Sequence, residues 1–146
     1  MTGSLFFVDT NLLLYCLDDR DEEKRGAALR WRDRLWDAGA GRLSWQVLNE
    51  FYANATRKMG APAVVARKVV AQYAFWEPVG IGLELLQSAW YWMDAAGLPY
   101  WDSLILAAAE AANCSYLLSE DFQSGRKFRH VTVVNPFTSD PSRFGL

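Results

Sequence analysis

Four acidic residues each follow a different segment whose hydrophobic pattern predicts part of the protein core: Asp9, Glu50, Asp102 and Asp121. Carboxylate oxygens are hard ligands that select Mg²⁺ or Mn²⁺, and an all-acid site with open positions suits phosphodiester hydrolysis. If folding brings them together, each close pair would repel by about 4 kcal/mol at an effective dielectric near 20. Several such pairs would rival the roughly 5–15 kcal/mol stability of a domain, so bound cations are expected.

Each acid has a simpler interpretation when it is taken alone. Asp9 and Asp102 precede predicted helices, where Asp commonly caps free N–H groups and interacts favourably with the helix dipole. Glu50 flanks an apolar stripe and could be a solvated charge, and Asp121 stands in a polar turn. The prediction of a site therefore depends on the arrangement of all four.

The segments that would position these acids alternate between two hydrophobic patterns. Continuous apolar runs, typical of strands covered on both faces, occur at residues 5–8, 43–45, 79–81, 116–118 and 131–134. Apolar residues at helical spacing lie between them, in segments 28–38, 48–59, 86–96 and 105–112. This alternation predicts an α/β fold with three layers, α/β/α, around a central, mostly parallel sheet of about five strands.

The predicted sheet also indicates where the chemistry should lie. In an open parallel sheet, ligands bind outside the carboxyl ends of the strands, near the point where the strand order reverses. Asp9 comes directly after the first predicted strand, and Ser119 and Asp121 follow the fourth. Acidic turns are therefore expected to meet at one edge of the sheet.

Length and composition limit the class of protein. The chain has 146 residues, 51% of them apolar, which predicts one domain over residues 1–146. Its formal charge of −2 is unlike that of a polybasic tail or an acidic disordered segment. Cys16 and Cys114 lie in apolar stretches, and no secretory leader is recognisable, so we expect a cytoplasmic protein.

Other catalytic chemistries lack their characteristic residues. The single histidine, His130, has no second His or Cys ligand nearby and is expected to be structural. The sequence contains no Gly-x-Ser-x-Gly elbow, no Walker loop and no Gly-x-Gly-x-x-Gly fingerprint. Serine nucleophiles and dinucleotide chemistry are therefore disfavoured.

Four short motifs stand in a recognisable order: Val8-Asp9-Thr10-Asn11, Asn49-Glu50-Phe51, Trp101-Asp102-Ser103 and Ser119-Glu120-Asp121-Phe122-Gln123. In this order and spacing they resemble the motifs of PIN-domain ribonucleases, above all the VapC toxins of prokaryotic toxin–antitoxin pairs. The resemblance extends over residues 7–136, and segment 133–137 is similar to the last strand of the family.

The resemblance implies roles for individual residues. The four acids would be the metal ligands of the family, and Glu50 would coordinate or orient the attacking water. Asn11 and Ser119 would be polar supports that orient Asp9 and that water. The family more often has Ala where this chain has Ser103, and often Thr where it has Ser119.

The resemblance also implies an activity and its partners. The expected protein is an Mg²⁺- or Mn²⁺-dependent endoribonuclease that hydrolyses tRNA or rRNA and thereby inhibits translation. A VapB-type antitoxin would neutralise it, a second copy of the chain would form a homodimer, and no membrane would be involved. The basic cluster that follows Asp121 is the preferred RNA contact, comprising Arg126, Lys127 and Arg129.

Three other functions remain open from the sequence. A PIN-family nuclease of RNA maturation would use the same acids, although the chain shows no extra RNA-binding domain. A phosphoacceptor receiver domain also gathers acids at strand ends, but it needs an acidic pair where Asp9 stands alone. A non-catalytic interaction module would not require all four acids.

Overall fold

The computed structural model describes residues 3–146 and contains a five-stranded sheet. The strands are β1 (Phe6–Val8), β2 (Gly41–Arg42), β3 (Tyr116–Leu118), β4 (Lys127–Phe128) and β5 (Val131–Val134). Their spatial order is β2-β1-β3-β5-β4, and only the edge strand β4 runs antiparallel to its neighbour. The predicted α/β class with a mostly parallel sheet is confirmed.

Helices connect the strands and cover the sheet. They are α1 (Thr10–Tyr15), α2 (Glu22–Ala38), α3 (Trp45–Arg57), α4 (Ala63–Tyr73), α5 (Leu83–Ala96) and α6 (Tyr100–Ala111). Two short 3₁₀ helices span Ala74–Trp76 and Pro141–Phe144. Helix α1 packs against α2 and α3, whereas α5 packs along α6.

All three residues of β1 are buried, with Phe7 and Val8 completely inaccessible. Successive side chains of a strand point to opposite faces, so both faces of the sheet must be covered. This explains why the strand reads as a continuous apolar run and not as an alternating one. The predicted three-layer arrangement follows from the same observation.

Two predicted strands are wrong in detail. The run 43–45 is split, because Ser44 caps α3 by accepting a hydrogen bond from Val47 N at 3.2 Å, and the helix begins at Trp45. Residues 79–81 contribute one isolated bridge, Ser44 to Val79, and no named strand. The fifth strand is instead β4, whose two residues are too few to produce a hydrophobic period.

The hydrophobic pattern of the sequence did not predict helices α1 and α4.

Both cysteines are free and buried, as their apolar surroundings predict. Within residues 3–146, no helix combines the length and apolarity needed to cross a membrane.

Candidate active site

The sheet order reverses beside β1: its sequence neighbour β2 lies on one side, and β3 lies on the other. Ligands of open parallel sheets bind at the carboxyl ends of the strands at such a point. Asp9 occupies this position, because it directly follows β1 and forms the N-cap of α1. Asp9 is only 8% exposed, and its Oδ1 accepts a hydrogen bond from Thr10 N at 2.7 Å.

Ser119 connects the ends of the two central strands. Its hydroxyl donates to Oδ2 of Asp9 at 2.8 Å and accepts from the backbone nitrogen of Asp121 at 3.1 Å. Asn11 adds a second connection, because its side-chain amide donates to Oδ2 of Asp121 at 3.0 Å. Two neutral side chains thus fix Asp9 and Asp121 relative to each other.

Glu50 reaches the same place from α3, about a turn and a half after the Ser44 cap. The Thr10 hydroxyl donates to Oε1 of Glu50 at 2.9 Å, across 40 positions of sequence. Since Thr10 follows Asp9 directly, the position of Glu50 is coupled to the end of β1.

Asp102 comes from the first turn of α6. It completes a cleft of about 170 Å³ that all four predicted acids line. The other lining residues are Thr10, Asn11, Gln46, Asn54, Trp101 and Ile105. The structure therefore brings together acids that lie up to 112 positions apart in the chain, from Asp9 to Asp121.

The negative charge of the cleft lacks a basic partner. None of the ion pairs formed within residues 3–146 includes Asp9, Glu50, Asp102 or Asp121. Burial raises the pKa of Asp9 to about 6; hydrogen bonds from Ser119 and Thr10 oppose this rise, and the charges of Asp121 and Glu50 add to it.

The pKa values of two other acids are also raised. Burial is the main cause for Asp102, with a contribution from the charge of Asp121. Burial likewise raises the pKa of Asp121, with a contribution from Glu120. Groups that resist ionisation in one cleft are typical of functional sites, and an added cation would reverse the shift.

The donor set of the cleft fits a hard divalent cation. Its side chains supply carboxylate, hydroxyl and amide oxygens, which are the ligands that Mg²⁺ and Mn²⁺ prefer. Among residues 3–146, no three Asp, Glu, His or Cys side chains stand close enough together to hold one metal ion between them. A cation that keeps several waters and takes one or two carboxylates suits such a cleft best.

A second recess adjoins the cleft and shares Asn11 and Asn54 with it. It measures about 280 Å³, and Arg20 and Lys58 are its basic lining residues. Arg20 is held by Asp18 through two hydrogen bonds, whereas Lys58 forms no ion pair within the described part of the chain. Asp18 and Glu120 also line the recess, so Lys58 is the basic side chain there that no ion pair within residues 3–146 neutralises.

None of the three residues of the preferred RNA cluster lines the cleft. Arg129 precedes β5, at the end of the strand opposite to the acids, where it contacts Glu110 at 3.3 Å and stacks over Tyr91. Arg126 stacks over Phe128, 4.5 Å from the ring centroid. Arg20 is close in sequence to Lys24 and Arg25, and Lys58 follows Arg57, but the sequence did not indicate that Arg20 and Lys58 lie near the acids.

Other cleft residues escaped the sequence reasoning. Thr10 and Trp101 lie within two of the four motifs but were given no role from the sequence. Nothing in the sequence indicated a role for Gln46 or Asn54. Helical spacing alone could have linked Gln46, Glu50 and Asn54, because residues four apart share one face of a helix.

The sequence model of the PIN domain matches residues 6–132 of the chain. Among proteins of known function, a tRNA dimethylallyltransferase of Lactobacillus acidophilus is 38% identical over 60 residues, or 41% of this chain and 19% of that protein. The chain thus spans about a fifth of the length of this relative. Such a short match carries no activity over to the chain.

Three solved structures are similar in fold. A toxin–antitoxin complex from Klebsiella pneumoniae aligns with a TM-score of 0.64 at 18% identity, covering 91% of this chain and 98% of that one. A sarcin–ricin loop cleaving VapC toxin of Mycobacterium tuberculosis aligns with a TM-score of 0.61 at 21% identity, covering 80% of this chain and 91% of that one. A DNA-bound VapBC complex of Salmonella typhimurium aligns with a TM-score of 0.60 at 14% identity, covering 90% of this chain and 97% of that one.

Proposed function

The chain belongs to the PIN domain family, and on that premise we propose that it is a divalent-metal-dependent endoribonuclease acting as the toxin of a toxin–antitoxin pair. One observation supports the activity above all others. Four carboxylates from four different elements line one small cleft at the carboxyl edge of the sheet, without a basic partner. That arrangement lowers stability unless it serves to bind a cation.

Asp9 together with Asp102 or Asp121 would hold Mg²⁺ or Mn²⁺ directly, and the remaining acids of the cleft, Glu50 among them, would reach it through its bound waters. The cation would polarise the RNA phosphodiester and neutralise the charge that develops during its hydrolysis. Asp9 binds in a fixed orientation, because Ser119 and Thr10 N occupy one lone pair on each of its oxygens. Little reorganisation is then needed during the reaction.

Glu50 orients the attacking water and accepts its proton. The Thr10 hydroxyl holds Oε1, which leaves Oε2 for that task. Asn11 keeps Asp121 turned toward the cleft. Lys58 and Arg20, in the adjoining recess, contact the RNA backbone and offset the repulsion between its phosphates and the acids.

Two observations support the assignment to a toxin–antitoxin pair. The structural relatives include toxin–antitoxin complexes whose chains match almost the full length of this one. Large apolar side chains also stand exposed outside the cleft, among them Trp36, Phe75, Trp90 and Tyr91. Such surface would be covered by a VapB-type antitoxin and by a second copy of the chain. An RNA target and two reduced cysteines fit action in the cytoplasm.

Incubation of the purified protein with total RNA tests the activity directly. We expect new RNA ends with Mg²⁺, no cleavage with EDTA, and recovery after Mg²⁺ is restored. Asp9→Ala should be inactive, and Asp94→Ala, which changes an exposed acid on α5, should cleave normally. Cleavage that persists in Asp9→Ala or in EDTA would refute the proposal.

The toxin role needs a separate test, since a maturation nuclease would share the chemistry. Induced expression should arrest growth, and co-expression of a small open reading frame directly upstream should restore it. Asp9→Ala should be harmless. Unimpaired growth of cells that contain the active protein would contradict the toxin role while leaving the nuclease activity intact.

A further inference from the structure

Trp101 projects a large aromatic surface at the rim of the acid cleft. Its residue is 62% exposed, lines the cleft and immediately precedes Asp102. Of the large apolar residues that are exposed in segment 3–146, it alone lines this cleft. Its exposure therefore calls for an explanation different from that of the apolar side chains elsewhere on the surface.

Other tryptophans are accounted for by the fold. Trp31 is fully buried and donates its indole N–H to the carbonyl oxygens of Pro136 and Ser139. Trp92 is buried and donates to Glu110. Trp101, by contrast, is largely exposed, so most of its ring contributes nothing to the core.

The size of the cleft determines which part of an RNA can enter it. Its volume of about 170 Å³ is below the range of sites that enclose a small organic ligand, roughly 300–1,000 Å³. A phosphate group fits among the acids, whereas the nucleosides on either side must remain at the rim. The aromatic face available at that rim is the indole of Trp101.

The backbone of Trp101 is anchored, and its ring packs on a neighbouring aromatic side chain. Trp101 is the second residue of α6, and its carbonyl oxygen accepts a hydrogen bond from the buried Gln46 side chain at 3.4 Å. Its ring also packs edge to face against Tyr100, with centroids 5.1 Å apart. A preorganised aromatic side chain loses little entropy when a planar partner stacks on it.

We propose that Trp101 is a stacking platform for one nucleobase of the bound RNA, next to the phosphodiester that is cut. This inference rests on the proposed ribonuclease function. Stacking positions the strand so that the scissile phosphate meets the acids, and it uses the face of the base, which every base has. Trp101 is thus a substrate-binding residue that takes no part in proton transfer.

Steady-state cleavage of a short labelled RNA that spans the mapped cut tests the proposal. Trp101→Ala and Trp101→Leu should raise KM by about 5- to 100-fold while kcat changes little. Trp101→Phe should keep KM close to the wild-type value, because its ring can still stack on a base. Trp90→Ala removes another exposed indole, away from the cleft, and should leave both constants unchanged. Thermal melting checks that each variant is folded.

Abasic substitutions along the same RNA identify the contact. One abasic position should raise KM for the wild type by about the same factor as Trp101→Ala, and it should add little in that variant. Additive effects at every position would overturn the proposal. A KM of Trp101→Leu equal to that of the wild type would also overturn it. The same holds if Trp101→Ala cleaves RNA normally but no longer binds the antitoxin, because the indole would then serve the antitoxin and not the RNA. Failure of the wild type to cleave RNA would instead refute the proposed function, and this inference with it.

Discussion

The hydroxyl of Ser119 donates a 2.8 Å hydrogen bond to Oδ2 of Asp9. Its oxygen also accepts from the backbone nitrogen of Asp121, so one side chain connects the carboxyl ends of two neighbouring parallel strands. Ser119 is buried and carries no charge of its own. The distance between two proposed metal ligands is therefore set by a neutral residue.

Replacement of Ser119 by Ala should weaken the metal site without unfolding the protein. The variant loses the bond that orients Asp9 and opposes the rise of its pKa. Loss of such a supporting contact typically lowers metal affinity or activity by about 10- to 100-fold. Titration of cleavage activity with Mg²⁺ should show the weaker affinity. Ser88→Ala, outside the cleft, is the control, and an unchanged Mg²⁺ dependence in Ser119→Ala would contradict the role given to Ser119.

The part of the site at the ends of β1 and β3 was predictable from sequence. Asp9 and Asp121 follow short apolar runs, and the carboxyl ends of parallel strands meet at one edge of a sheet. The contact between Thr10 and Glu50 was not predictable, because it depends on how α3 is rotated against α1. Hydrophobic spacing placed Glu50 at the flank of its helix without indicating what the flank faces.

The fold shows the same division. β1, β3 and β5 are long enough to produce a continuous buried run, whereas the two-residue strands β2 and β4 depend on backbone pairing that no side-chain pattern encodes. The position of Arg129 could not be predicted for a related reason. Arg129 follows Asp121 closely in sequence, yet the hairpin between β4 and β5 carries it to the opposite end of the sheet.

Lys58 should make the binding of RNA dependent on salt. It lines the recess beside the acids and has no ion-pair partner in segment 3–146, so it can neutralise an RNA phosphate and release the cations condensed on the RNA. We expect Lys58→Ala to weaken RNA binding and to reduce the slope of log K against log salt by about 0.7. Lys68→Ala on α4 is the matched control. Equal slopes for the two variants would remove Lys58 from the RNA path.

Two glycine substitutions should change stability in opposite directions. A Cβ at Gly41 in β2 would lie 2.5 Å from ring carbons of Trp76, whereas a Cβ at Gly26, inside α2, would meet nothing within 4 Å. Gly41→Ala should lower the free energy of unfolding by about 1–3 kcal/mol through overpacking. Gly26→Ala should raise it by about 0.5–1 kcal/mol, because Ala favours the helix. Urea denaturation measures both, and equal effects would contradict the close packing of Trp76 on β2.

The ionisation of Asp9 should make stability decrease as pH rises. Its pKa is about 6 in the folded protein against the ordinary value of 3.8, so the folded state holds this proton more tightly. The stabilising contribution is complete below pH 3.8, decreases between pH 3.8 and about 6, and is absent above. The difference corresponds to about 3 kcal/mol.

Asp9→Asn removes this titration while keeping the shape of the side chain. In EDTA, the variant should gain stability over the wild type between pH 4 and pH 7, by about 3 kcal/mol in urea denaturation. Mg²⁺ should stabilise the wild type at pH 7 more than at pH 5, because its carboxylate ligands must be deprotonated, and Asp9→Asn should respond weakly. If the free energies of unfolding of the two proteins differed by the same amount at all pH values, burial would not raise the pKa of Asp9.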